Sequence, residues 1–375
     1  MLANPIRVLH LVVGGDIGGA ERLIVDLARR PDMARAEQEV ALFTPNARLW
    51  SLFRDAGLVV HDRGRVHEDA LSYLARSLGP SDVQWLAELL RTGRFDLLHT
   101  HTFGTHVLGT RAAQRAGVPQ LRTEHHVMHY FDPSCALFTR WAAARTDRFV
   151  AVSGYVMKTL ARTAPAVTSR MRVILNGVDT KHWAPRDRHE EGRQFSAAIV
   201  CRLTGWKRVH LAVEAASLAG VELVIVGDGE ERARLEARAH ACRARVRFVR
   251  HQDDPRPFIA QADVTLNTSE KEPLGLSVLE SLAMERPVIA FRQGGLVEII
   301  EHGVTGYLAE SASASALARE IIRARDHRDE TARLGAAGRR FVVEHAGIER
   351  MCEAYAREYE ELAKPGSRRQ PVAGP

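Results

Sequence analysis

Residues 7–13, Arg7-Val8-Leu9-His10-Leu11-Val12-Val13, run into Gly14-Gly15-Asp16-Ile17-Gly18-Gly19-Ala20-Glu21-Arg22, after which Leu23, Ile24 and Leu27 resume at helical spacing. A short apolar run, a glycine-rich turn and then a 3.6-residue period read as strand, turn and helix. Glycines at such a turn let the backbone approach an anion, and the free N–H groups and dipole of the helix favour one there. The spacing is not the strict dinucleotide fingerprint, so the turn alone names no ligand.

The same alternation repeats outward. Further strand-like runs lie at 39–43, 96–101, 148–153 and 172–175, and a second series at 195–202, 222–226, 246–249, 263–267 and 287–291. Strands alternating with helical stretches imply parallel sheets with crossover helices. Between the series, Gly177, Asp179, Pro185 and a charged stretch at 186–193 carry no apolar period, which reads as a linker. A chain of 375 residues is long for one core, and two α/β domains are expected. The boundaries read as 1–182, a linker at 183–194, 195–340, a helix at 341–363 carrying Phe341, Val342, Met351, Tyr355 and Tyr359, and a disordered tail at 364–375.

No apolar run approaches the roughly 20 residues that span a bilayer. The apolar segment at 6–13 is followed by glycines and Asp16 rather than by the longer core and cleavage site of a signal peptide. Four well-separated cysteines, Cys135, Cys201, Cys242 and Cys352, suit a reducing compartment, so a cytoplasmic protein is expected. The formal charge of +6 favours phosphate-bearing ligands and peripheral association with an anionic membrane surface. Nucleic-acid binding is a poor alternative, because there is no zinc finger, aromatic-spaced RNA motif or long basic run.

Three segments could carry chemistry. Cys201-Arg202-Leu203-Thr204-Gly205-Trp206-Lys207-Arg208 follows a strand and puts cations where open α/β sheets bind ligands. There they could neutralise a diphosphate and stabilise it as a leaving group, or could simply be solvated. In Glu270-Lys271-Glu272-Pro273-Leu274-Gly275-Leu276-Ser277-Val278-Leu279-Glu280, Glu272 precedes a helix whose first amides come from 275–277, and Glu280 lies about one turn in. Carboxylates so placed can accept hydrogen bonds from sugar or ribose hydroxyls. Gly294-Gly295-Leu296-Val297-Glu298 is a third loop that enters a helix. Histidines His99, His101, His125, His126 and His129 cluster near first-domain strand ends, but without cysteine ligands or an HExxH helix they are expected to serve hydrogen bonding, with no metal. Asp253-Asp254 is read as a solvated pair.

Taken together, and over nearly the whole chain, these segments resemble the retaining glycosyltransferases of family 4, glycosyl transferases group 1, with the GT-B fold. The resemblance is most specific in Glu272 and Glu280, continuing through Pro287-Val288-Ile289-Ala290 to Gly294-Gly295-Leu296-Val297-Glu298. Gly18-Gly19-Ala20-Glu21-Arg22, Val152-Ser153, Asn176-Gly177-Val178-Asp179, Arg202 with Lys207, and Val226-Gly227-Asp228-Gly229 support it in order.

The resemblance implies two doubly wound Rossmann-like α/β domains facing each other across a cleft, with a hinge near 177–192 and a last helix crossing back to the first domain. It implies that Arg202 and Lys207 hold the pyrophosphate of a nucleotide-sugar donor, UDP- rather than GDP-linked. Gly18, Gly19, Gly275 and Leu276 would line the donor, Glu280 would bind its ribose and Glu272 its sugar. His125, two residues after Thr123, would approach the sugar from the first domain, with His126 the adjacent alternative. The expected reaction is front-face substitution without metal or other cofactor, onto a glycan or lipid-linked acceptor of cell-surface polysaccharide or glycolipid synthesis. A nucleotide-sugar epimerase and a non-catalytic scaffold share the architecture and are the rival readings. Cys201 and Arg208 stand where the family often has glycine, Leu274 replaces a frequent phenylalanine, and Glu285 replaces a glycine before Pro287.

Overall fold

The structure is a computed structural model that describes residues 5–13, 17–30, 33, 35–43, 46–64, 78–186 and 194–364. The glycine-rich turn at 14–16, the charged half of the expected linker at 187–193 and the tail from 365 lie outside them. The chain divides into two compact units, Met1–Leu175 with Glu349–Pro375, and Asn176–Ile348.

The first unit holds a seven-stranded sheet of β1 (Ile6–Val12), β2 (Ala36–Leu42), β3 (Val59–Asp62), β4 (Leu97–Thr100), β5 (Gln120–Glu124), β6 (Arg148–Ala151) and β7 (Met171–Val173). Its order is β3-β2-β1-β4-β5-β6-β7, and neighbouring strands pair in parallel. Both faces are covered, as parallel sheets require. Leu9, Leu11 and Leu98 pack against Val83, Leu86, Leu90 and Leu108 of the helices Pro80–Thr92 and Phe103–Ala116. On the other face Val12, Val40 and Leu42 meet Ile24 of the helix Gly19–Ala28 and Leu49 and Phe53 of Ala47–Asp55.

The second unit holds β8 (Ser196–Val200), β9 (Glu222–Val226), β10 (Val246–Val249), β11 (Val264–Asn267), β12 (Val288–Phe291) and β13 (Gly306–Ala309) in the order β10-β9-β8-β11-β12-β13, again parallel. Ala197, Ile199, Leu223 and Ile225 bury against Ala212, Val213 and Ala216 of the helix Val209–Ala219. The strand order reverses beside β8, so the loops after β8 and β11 open at the switch point where such sheets bind ligands.

Three strands escaped the sequence reading. β3 and β13 are four residues long, and β5 carries Arg122, Thr123 and Glu124, all buried although their types are usually exposed.

Two expected boundaries are corrected. The linker read at 183–194 is displaced, because the units divide at Leu175/Asn176. Val178 and Trp183 are buried, and Arg339 donates to the carbonyls of Trp183 and Thr180, so the chain after 176 is already held by the second unit. The single helix expected from 341 is two helices, Arg328–His345 and Ile348–Leu362. They are separated where the Ala346 carbonyl accepts from Val178 N–H at 2.9 Å and Gly347 bridges to Val178. Those bonds divert the backbone groups that would have continued the helix. A Cβ on Gly177 would lie 2.7 Å from Ile348 Cα, so only glycine allows this approach. The helix Ile348–Leu362 buries Met351, Tyr355 and Tyr359, and almost all of it belongs to the first unit.

Candidate functional site

In the second unit the loop after β8 turns through Gly205–Lys207 and enters the helix Val209–Ala219 by way of Arg208, whose φ of 50° is left-handed. Glycine is the residue that takes this conformation freely, and the resemblance expects one here. The same holds at Glu285, with φ 57°, so two departures from the family pattern keep the glycine backbone without the glycine.

The loop is pinned on two sides. Thr268 Oγ1 donates to the Lys207 carbonyl at 2.7 Å, and Glu270 N–H to the Trp206 carbonyl at 2.8 Å. On the other flank Leu203 N–H donates to the Asp228 carbonyl at 2.9 Å. Gly227 and Gly229 pass so close that added Cβ atoms would lie 1.9 Å and 2.3 Å from the carbonyl oxygens of Cys201 and Leu203. Burial pushes the Cys201 thiol up to about 12, so it stays a neutral packing group.

The loop after β11 completes the arrangement. Glu272 Oε2 accepts from Lys207 Nζ at 2.7 Å, with the two side chains 8% and 15% exposed. The ammonium also lies 4.0 Å from the centroid of the Trp206 ring. Gly275, at φ 95°, opens the helix Leu276–Ala283, and Glu280 lies buried on that helix. The loop after β12 clamps Glu272, since Gly295 N–H donates to its carbonyl at 2.8 Å and a Cβ on Gly294 would fall 2.3 Å from the same oxygen. Four loops at the carboxyl ends of β8, β9, β11 and β12 thus meet, bringing Lys207, Glu272, Gly275 and Leu276 together. Arg202 is exposed at the start of the first of these loops.

In the first unit the Gly18 amide is occupied: it donates to Glu21 Oε2 at 2.9 Å, which caps the helix Gly19–Ala28. His125 follows β5 and is half-buried, whereas His126 is exposed. Burial lowers His125 to about 3 and His10 to about 4 and drives His99 and His101 well below the usual imidazole value, so all four are neutral at pH 7.

Sequence reasoning passed over what lies beneath. Arg122 and Glu124, two apart on one strand face, form a fully buried bidentate pair at 2.8 Å and 2.9 Å, and Arg122 also donates to the Thr102 carbonyl at 3.0 Å. Tyr130 OH donates to Glu124 at 3.2 Å. Burial pushes the Glu124 carboxyl up, but the Arg122 charge together with His129 outweighs it and holds the group well below the usual carboxylate range. The signal was the Arg-x-Glu alternation itself, which puts opposite charges on one side of a strand.

Among the described residues, His10, His99 and His101 offer ligand atoms within 4.8 Å of one another. Both nitrogens of His99 are already 2.8 Å from hydroxyls, Nδ1 from Tyr359 and Nε2 from Thr123, so a cation there would have to displace one of them. No described helix is long and apolar enough to cross a membrane, and none of the four cysteines is in a disulfide.

Two family models match the chain: Glycosyltransferase Family 4 over residues 17–182 and Glycosyl transferases group 1 over residues 184–341. The chain is 28% identical over 300 residues to N-acetyl-alpha-D-glucosaminyl L-malate synthase of Bacillus anthracis, covering 74% of this chain and 78% of that protein. It is 35% identical over 191 residues to the lipopolysaccharide core biosynthesis glycosyltransferase LpsE of Rhizobium meliloti, covering 49% and 56%. Among solved structures, Anabaena HepE in complex with UDP and glucose superposes with a TM-score of 0.83 at 23% identity, covering 95% of this chain and all of the other.

Proposed function

The chain belongs to the GT-B glycosyltransferases of the family 4, group 1 type, and we propose that it transfers the sugar of a UDP-sugar with retained anomeric configuration. The acceptor in this reading is a glycan or lipid-linked precursor of cell-surface polysaccharide or glycolipid. The observation that carries it is the Lys207–Glu272 pair, 2.7 Å long at the mouth of the switch-point loops and beside the helix that Gly275 opens.

A diphosphate arriving there meets Lys207 and Arg202 and the first amides of the helix Leu276–Ala283, including those of Gly275 and Leu276. These groups favour negative charge through charge-assisted hydrogen bonds and the helix dipole. Lys207 is held by Glu272 until a phosphate competes for it, and the released carboxylate is then available to the hydroxyls of the transferred sugar. Glu280, further along the same helix, accepts from the ribose. The resemblance adds Gly18, Gly19 and His125 of the first unit to this reading, although the Gly18 amide already donates to Glu21.

In the front-face step the bond from the anomeric carbon to the phosphate oxygen breaks as the bond to the acceptor oxygen forms on the same face. The acceptor proton passes to the departing phosphate, and UDP leaves. Lys207, Arg202 and the helix amides stabilise the negative charge that grows on the diphosphate, the electrostatic role a divalent cation plays in other transferases. The base is supported by the UDP bound in HepE, and the acceptor class by the likeness to LpsE together with the formal charge of +6.

The test is nucleotide release from UDP-glucose, UDP-N-acetylglucosamine and GDP-mannose with a lipid-linked or oligosaccharide acceptor, in EDTA, with proton NMR of the new anomeric centre. Release from a UDP-sugar with an axial linkage kept in the product supports the reading. Release only from GDP-mannose, an inverted product or full dependence on added metal would each overturn the corresponding part. Flotation with anionic vesicles checks the membrane association that the charge favours, and protein that stays at the bottom at low salt contradicts it.

A further inference from the structure

Beneath His125 lies a run of side chains whose proton positions can be worked out from one end. Gln38 Nε2 donates to the Leu27 carbonyl at 3.1 Å. Reversing the amide would set its oxygen against that carbonyl, so the orientation is fixed and Gln38 Oε1 faces His10 Nε2 at 2.9 Å. An amide oxygen only accepts, so His10 carries its proton on Nε2. The neutral ring is then bare at Nδ1. That nitrogen lies 2.9 Å from His101 Nε2, which must donate, leaving His101 Nδ1 bare in turn.

His101 Nδ1 is buried without a partner, and so is His125 Nε2. The two rings have centroids 5.9 Å apart, only slightly wider than the 5.2 Å between His10 and His101, which are in hydrogen-bond contact. A hydrogen bond from His125 Nε2–H to His101 Nδ1 would satisfy both orphaned nitrogens at once. Leaving two such groups unpaired in a buried layer is costly.

We propose that Gln38, His10 and His101 are positioning residues that fix His125 as the Nε2–H tautomer, so that its bare Nδ1 is presented as an acceptor on the half-exposed side of the ring. The partner of that acceptor is a hydroxyl of the transferred sugar, which rests on the functional reading above; the tautomer itself does not. Register explains why the sequence builds the ladder: His10 pairs with His99 across β1 and β4, His101 follows His99 by two, and His125 follows Thr123 by two, so all of them point to one face of the sheet. His99 stands beside the ladder, held by Tyr359 and Thr123.

The experiment is nitrogen-15 NMR of the imidazole rings in the full-length protein at neutral pH, with the His125 signals assigned by their loss in His125→Asn. The wild type should show His125 protonated at Nε2. Gln38→Leu, a change on a half-buried residue, removes the acceptor at the far end. Each ring can then reverse, and His125 should shift wholly or partly to the Nδ1–H form although nothing beside it has changed. His101→Phe should likewise release the tautomer. His101→Gln should restore it, because an amide can donate to His10 and accept from His125. In donor turnover the breaking variants should lower kcat about tenfold or more with KM little changed, and His101→Gln should recover it. An unchanged His125 tautomer in both Gln38→Leu and His101→Phe, or an Nδ1–H wild type, would overturn the ladder. If instead the tautomers move as expected but turnover does not, the ladder stands and the role given to His125 in transfer falls.

Discussion

The two sheets share the order 3-2-1-4-5-6 from their own first strand, with β7 added to the first, yet they spend their polar residues differently. In the first unit the polar groups sit on the strands or directly after them. His10, His99, His101, Arg122 and Glu124 are buried and tied to one another or to the helix Ile348–Leu362. In the second unit the charges of the site stand on the loops after β8 and β11, held by glycines that pass within contact of a neighbouring carbonyl. One scaffold therefore supports a polar layer inseparable from folding and a charged site separable from it.

The contrast is broken most directly at Arg122. Arg122→Met leaves Glu124 buried without its counter-charge, and a half-broken buried pair costs about 3–5 kcal/mol. Urea unfolding of the first unit should show that loss, and a variant as stable as the wild type would mean the pair is not closed in solution. At Lys207 the balance reverses. Lys207→Ala should lower kcat/KM for UDP-sugar turnover by about 100- to 1,000-fold, the scale of a lost transition-state donor. Its unfolding midpoint should move much less than that of Arg122→Met, and equal losses of stability would erase the distinction between the two regions.

The buried histidines supply a pH signature for the first unit. His10 is lowered from 6.5 to about 4 by burial, so the unfolded chain takes up a proton that the folded one refuses over that interval. The His10 contribution to stability should fall as pH drops from about 7 toward 4 and level off below, and a shift of this size is worth on the order of 3 kcal/mol. His10→Gln should make the fall measured by denaturant titration at pH 7 and pH 5 shallower while the other buried histidines keep their share, and an equally steep fall in the variant would show that His10 does not contribute to it. The smallest effect is expected at Glu285, whose φ of 57° a glycine would adopt freely. Glu285→Gly should stabilise the second unit by about 1 kcal/mol, and a loss of stability would show that the side chain contributes more than the strained backbone costs.

Legibility in the sequence followed the same divide. The switch-point loops could be read because glycines, Lys207, Glu272 and Glu280 lie in short contiguous stretches, each following a short run of strand character. The first unit hid its polar layer because the partners are far apart in the chain, as His99 is from Tyr359 and Gln38 from His10. β5 was missed for a different reason, since Arg122 and Glu124 suggest a surface segment until each is seen to satisfy the other. The start of the last helix was misplaced because Phe341 and Val342 continue the apolar pattern across Ala346 and Gly347, and only the bonds to Val178 show the break.

In the proposed function a nucleotide diphosphate is held by the loops after β8 and β11. Calorimetric titration of UDP, GDP and ADP into the wild type, Lys207→Ala and Glu280→Ala tests this most directly. UDP should bind best to the wild type and about tenfold or more weakly to each variant, Lys207→Ala through the diphosphate and Glu280→Ala through the ribose, the loss expected when a charge-assisted hydrogen bond is removed. Binding of UDP at equal strength to all three proteins, or no binding of any nucleotide to the wild type, would contradict the assignment.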